Sequence, residues 1–144
     1  QHSEDRPTLF SSSLARALET SEPLAQQWNC KVGIEPRVAE IPSPTEDLQE
    51  RAQWLQKAMQ GGWSALAADA QAWRQALVDH LLDQTENCII FSHFVAINAA
   101  VGAATHDDRM RIFAPDNCSV TTLENTGGQL AVVELGVTAD THIN

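Results

Sequence analysis

Cations are scarce in this chain: nine Lys and Arg stand against nineteen Asp and Glu, a formal net charge of −10 over 144 residues. An acidic surface repels a nucleic-acid backbone and an anionic membrane, so neither is expected as a partner. A small anion remains admissible, because a few arginines and helix N-termini can make one pocket locally positive. Cysteine is sparse as well. Cys30, Cys88 and Cys118 are odd in number, widely separated and form no CxxC pair. A disulfide framework or structural zinc is therefore not expected, and a reducing cytoplasm is. No apolar run approaches transmembrane length, and the polar start Gln1-His2-Ser3-Glu4-Asp5-Arg6 is unlike a signal peptide. Internal repeats and low-complexity tracts are absent too. What is present, 43% apolar residues in a chain of this length, suffices for one domain with a core of its own.

Two stretches share a shape: an apolar run, small hydroxyl residues, a cationic or imidazole side chain, then a helical pattern. They are Thr8-Leu9-Phe10-Ser11-Ser12-Ser13-Leu14-Ala15-Arg16 and Cys88-Ile89-Ile90-Phe91-Ser92-His93-Phe94. In each, a buried strand empties into a helix N-terminus, where unpaired backbone N–H groups and the positive end of the helix dipole attract anions. Ligands of open α/β sheets bind at the carboxyl ends of the strands. Arg16 at one junction and His93 at the other point to a site for a phosphorylated substrate.

The periodicity predicts a strand over 8–12 and a helix over 14–29 capped by Ser13, then a weak extended segment over 32–38. Pro42 and Pro44 make 40–44 an ordered loop. A helix from a Thr45 cap to about Gln60 should turn Leu48, Ala52, Leu55 and Met59 inward, and one over 66–83 should do the same with Trp73, Leu77 and Leu81. The apolar run 87–92 reads as an inner parallel strand, followed by a small-residue helix over 95–104. Segments 119–124 and 129–135 form a hairpin about the turn Asn125-Thr126-Gly127-Gly128. The expected architecture is a three-layer α/β sandwich: a mostly parallel central sheet flanked by helices, with a C-terminal antiparallel hairpin. Tryptophans 54, 63 and 73 are read as core, and His80, His106 and His142, which lack metal-ligand spacing, as surface or tail residues.

Four motifs then resemble one family. Ser12-Ser13-Leu14-Ala15-Arg16-Ala17-Leu18-Glu19-Thr20 is similar to the Ser-x-Leu-x-Arg-Ala-x-x-Thr signature of the histidine phosphatase superfamily, also called phosphoglycerate-mutase-like. Phe91-Ser92-His93 resembles the strand carrying its second catalytic histidine. Asp116-Asn117-Cys118-Ser119-Val120-Thr121 resembles its Asn-x-Ser motif, and Asp140-Thr141-His142-Ile143 its tail. The family's nucleophile is a histidine in an Arg-His-Gly motif on a first strand. Nothing before Thr8 supplies that strand, and His2 lies too close to the signature to serve. The resemblance therefore implies an N-terminally incomplete copy with its nucleophile upstream. Unpaired inner strand edges would then promote self-association.

The resemblance implies a phosphatase working through a phosphohistidine, with no cofactor and no metal. Arg16 suits bidentate grip on phosphate. His93 suits transition-state stabilisation. Ser12, Ser92 and the backbone N–H of Phe94 complete the substrate-binding set, the two serines reading more as structural caps than as catalysts. Phe94 stands where many members have Gly. Glu40, on its proline loop, is the candidate proton donor, with Glu46 as the alternative. A non-catalytic phosphate- or protein-binding module on the same scaffold is the competing reading.

Overall fold

The computed structural model describes residues 6–138. Strand β1 (Thr8–Ser11) leads into helix α1 (Ala15–Trp28), then β2 (Gly33–Ile34), α2 (Leu48–Ala58), α3 (Ala68–Leu82), β3 (Cys88–Phe91), α4 (Phe94–Thr105) and the strands β4 (Thr122–Thr126) and β5 (Gln129–Glu134). The first three strands in space form a parallel sheet of order β2-β1-β3. β1 is central, its register pairing Thr8 with Cys88 and Ser11 with Phe91 on one side and Phe10 with Gly33 on the other. β4 and β5 pair antiparallel as a separate two-stranded sheet. The chain is thus α/β, as its alternation of patterns predicts.

The expected inner position of β3 is not what the described residues show. β1 takes the centre, and β3 is an edge strand whose four apolar residues are all only partly buried. A run of uninterrupted hydrophobicity reports burial on both faces and says nothing of which strand lies alongside. The extended segment after Lys31 also ends earlier than expected. Pro36 cannot extend the ladder, and Pro36–Val38 tightens into a 3₁₀ turn capped by the Glu35 carboxylate, which accepts from Arg37 N–H.

The core gathers Val38, Ile41, Trp63, Ala70, Leu77, Val95, Ala96, Ala99 and Met110. α4 is buried along most of its length because its small side chains are apolar almost all round. Fully buried Asn98 braces the loop after it: its Oδ1 accepts from Ile112 N–H at 2.7 Å and Phe113 N–H at 3.1 Å. Trp54, Leu55, Ala58 and Met59 form the inner face of α2, whereas Leu48 is 80% exposed and Ala52 faces solvent. The helix begins at a different cap from the expected one, Asp47 accepting from Glu50 N–H, and Thr45 lies outside it. On α1 the N-cap position falls on Leu14, without a side-chain cap, and Ser13 is exposed. The hairpin turn is shorter than expected: Asn125 and Thr126 belong to β4, leaving Gly127 (φ 60°) and Gly128 (φ 80°) to supply the left-handed pair that a tight turn requires.

His80 is the clearest departure from the sequence expectation. It is 1% exposed, packed edge-on against Phe10 with ring centroids 5.1 Å apart, and its Nδ1 accepts from Arg37 Nη2 at 3.2 Å. Arg37 is itself held by Glu35 at 2.9 Å. The histidine fills the space beside β1, and the ion pair at the start of the 3₁₀ turn supplies its donor. His106 is exposed at the end of α4, and Trp63 is buried, as expected. His142 and the tail motif 140–143 lie outside the described residues. The three thiols are free. Among the described residues no helix is long and apolar enough to cross a membrane.

Candidate functional site

The two strand–helix junctions meet, because β1 and β3 are parallel neighbours in register and end at the same level. Ser12 follows β1, and His93 follows β3 after one intervening residue. Their side chains touch: Ser12 Oγ lies 2.7 Å from His93 Nε2 in a buried contact. The same hydroxyl oxygen accepts from Leu14 N–H at 3.3 Å, so Ser12 orders both the entry to α1 and the imidazole.

Arg16 lies in the first turn of α1 and reaches across with Nη2 3.4 Å from His93 Nδ1. Its guanidinium is exposed and forms no ion pair with a carboxylate among the described residues. Arginine only donates, so Nδ1 faces it as an acceptor and the ring is neutral. Burial, followed by the nearby Arg16 charge, holds the His93 pKa below the ordinary imidazole value. His93 backbone caps α4 from extended geometry, but its side chain leaves the helix N-terminus uncovered.

Glu40 covers it instead. Its Oε2 accepts from Val95 N–H at 3.3 Å, and its Oε1 from Ala96 N–H at 3.3 Å and Ile41 N–H at 3.2 Å. The loop bearing Glu40 is tied to the same junction by Ser92, whose hydroxyl donates to the Val38 carbonyl at 2.6 Å. Burial pushes the Glu40 carboxyl above the usual carboxylate range, against the opposing pull of its three backbone donors and Arg16. Phe94 opens α4 with its ring packed against the core.

Five of the residues singled out from the sequence (Ser12, Arg16, Ser92, His93 and Phe94) therefore sit on the two adjoining junctions, and Glu40 is brought to them across 55 residues of chain. Glu46 belongs to the segment before α2, and among the described residues no hydrogen bond or ion pair joins it to this cluster. What sequence reasoning missed is the contact between Ser12 and His93. A hydroxyl at the end of one strand and an imidazole at the end of another become partners only once the strands are known to be adjacent.

The parallel strands β1 and β3 thus lead into one buried imidazole and one guanidinium outside any ion pair among the described residues, and the desolvated Glu40 carboxyl is brought beside them from a loop. The profile of the histidine phosphatase superfamily (branch 1) matches residues 2–138, and the chain belongs to that superfamily. Membership carries a general expectation of phosphatase-like or phosphoglycerate-mutase-like activity. No curated protein is significantly similar to the chain.

Proposed function

We propose that this domain hydrolyses small phosphate monoesters through a phosphohistidine, the attacking imidazole coming from a histidine outside residues 6–138. The observation that carries this reading is the exposed, unpaired Arg16 guanidinium 3.4 Å from buried His93. A positive fork beside a fixed imidazole suits the charge on the equatorial oxygens of a phosphoryl group in transfer. Ser12 makes the imidazole adaptable. Its hydroxyl can accept from Nε2–H, as when Nδ1 faces Arg16, or donate to Nε2, which frees Nδ1–H for a phosphoryl oxygen entering between the two side chains.

In the first step the nucleophilic nitrogen bonds phosphorus as the ester P–O bond breaks. The leaving oxygen takes the proton of the Glu40 carboxyl, whose raised pKa suits a general acid. In the second step water attacks phosphorus, gives its proton to the Glu40 carboxylate and breaks the P–N bond, releasing inorganic phosphate. His93 stabilises charge in both steps and forms no covalent bond.

The competing reading, a binding module without chemistry, draws on one observation: His93 is the only imidazole at the junctions among the described residues. One experiment separates them. The full-length protein is assayed in EDTA against a panel of phosphate monoesters, with and without His93→Ala. Activity that persists in EDTA and falls by ~10²–10³ in the variant is expected, as for loss of one oxyanion donor. Full activity in the variant, or complete loss of wild-type activity in EDTA, rejects the mechanism. Inactivity of both proteins supports the binding module.

A further inference from the structure

At the opposite end of α4 from His93, a second guanidinium has no hydrogen bond or ion pair among the described residues. Arg74 on α3 is half-buried, and its Nε is fully enclosed with no hydrogen-bond acceptor. Its guanidinium carbon lies over an aromatic face, 5.2 Å from the ring centroid of buried Trp63, and the charge of Asp108 attracts it without a hydrogen bond. The neighbouring acids are already committed. Asp107 is paired with Arg109 at 2.7 Å, and Asp108 accepts from Ser64 Oγ at 2.8 Å. A half-buried cation whose Nε–H lacks an acceptor bears a desolvation cost that an anion accepting from its outer guanidinium nitrogens would offset in part. Burial accordingly lowers the Arg74 pKa from the ordinary guanidinium value.

The guanidinium lines a cavity of about 260 Å³ together with Gln71, Gln75, Val78 and Ala103. A second hollow beside it, of about 280 Å³, shares Arg74 and Ala103 and is bounded by His106, Asp107 and Asp108. Gly102 keeps the approach open: a Cβ there would stand 3.5 Å from Arg74 Nη2 and 2.8 Å from the Asp107 carbonyl oxygen.

We propose that this cavity is a binding site for a small aliphatic monocarboxylate, gripped by Arg74 through both carboxylate oxygens with its tail against Val78 and Ala103. A planar fork matches a carboxylate. Asp107, Asp108 and the negative C-terminal end of α4 admit a single negative charge and repel a phosphate dianion. The site lies about 15 Å along α4 from His93, ten residues at ~1.5 Å each, and does not depend on the phosphatase reading.

The test is NMR on the full chain, following the Arg74 Nε–H and the Trp63 indole N–H, which is also buried without an acceptor. Sodium butyrate is titrated against sodium chloride at equal ionic strength, sodium phosphate and neutral butyramide. The expected result is a saturable movement of both signals with butyrate alone, lost in Ala103→Leu, which fills the cavity and keeps the guanidinium. Arg74→Gln is expected to abolish the Trp63 response as well. Should that variant not fold, Ala103→Leu decides alone. No saturable movement, an equal response to butyramide or phosphate, or an undiminished response in Ala103→Leu would overturn the proposal.

Discussion

The N-termini of α1 and α4 face one site, yet they are finished in opposite ways. At α1 the capping position is Leu14, which offers no side-chain acceptor, and the first turn carries an exposed, unpaired cation, Arg16. At α4 the first turn holds no acid of its own, and the carboxylate of Glu40 arrives from a distant loop to take two of its backbone donors. One terminus has no side-chain acceptor on it, and the other is already occupied by a carboxyl. In the function proposed above, positive charge for a ligand comes from α1, while α4 fixes the position of a desolvated carboxyl beside it. Helix dipoles alone would make the two ends equivalent. The side chains make them complementary.

The comparison breaks most visibly at Arg16. Arg16→Ala should abolish vanadate binding measured by calorimetry and reduce turnover by ~10³, the lower end of what a phosphate-clamping arginine contributes. The melting temperature should hardly move, because the side chain is exposed and outside any ion pair. Arg16→Lys should recover part of the affinity, having charge without the fork. Unchanged vanadate affinity in Arg16→Ala would show that α1 is not the open terminus.

Glu40→Gln tests the filled terminus. It should lower turnover of alkyl phosphates by ~10² and leave p-nitrophenyl phosphate nearly unaffected, since a good leaving group needs no proton. Wild-type turnover of alkyl phosphates should fall as pH rises through the elevated Glu40 pKa, where the proton is lost. That limb should vanish in the variant. Equal losses on both substrates would assign Glu40 to capping alone.

A smaller effect is expected at the hydroxyl shared between the junctions. Ser12→Ala removes the 2.7 Å partner of His93 and should cost about tenfold in turnover, the worth of a single neutral hydrogen bond. Loss of the Nε2 partner should also shift the His93 ring nitrogen signals in NMR. Identical signals in variant and wild type would remove Ser12 from the site.

The smallest effect is on stability. Burial lowers the pKa of both His80 and His93 below the unfolded value of 6.5. Between the folded and unfolded values the unfolded chain binds more protons, so stability present above pH 6.5 is lost as pH falls through that window. Denaturant midpoints measured through this range should decline toward acid, less steeply in His80→Gln. A slope unaltered by that substitution would show that His80 does not titrate there.

The sequence carried more of the site than of the packing. Both junctions are local patterns, strand into hydroxyl into helix, and Arg16 and His93 sit at fixed offsets within them, so they can be read residue by residue. The α2 inner face could not be read so directly. Leu48 and Ala52 keep helical spacing with Leu55 and Met59, but the helix rolls to bury Trp54 and Ala58 instead, because the larger ring removes more apolar surface from water. His80 was misplaced because only the fold brings Phe10 and the Glu35–Arg37 pair against it.

By itself, then, the amino-acid order determined the α/β alternation, the existence of the C-terminal hairpin, the two strand–helix junctions and the family resemblance, all consequences of propensities and patterns that act over a few residues. Tertiary structure alone decided that β1 would lie between β2 and β3, that Ser12 would bind His93, and that Glu40 would close the end of α4. It likewise decided that Arg74 would be half-buried against Trp63 with its Nε lacking a hydrogen-bond acceptor. Those outcomes join residues far apart in the chain, and their free energy comes from burial and desolvation, which exist only once the elements are packed.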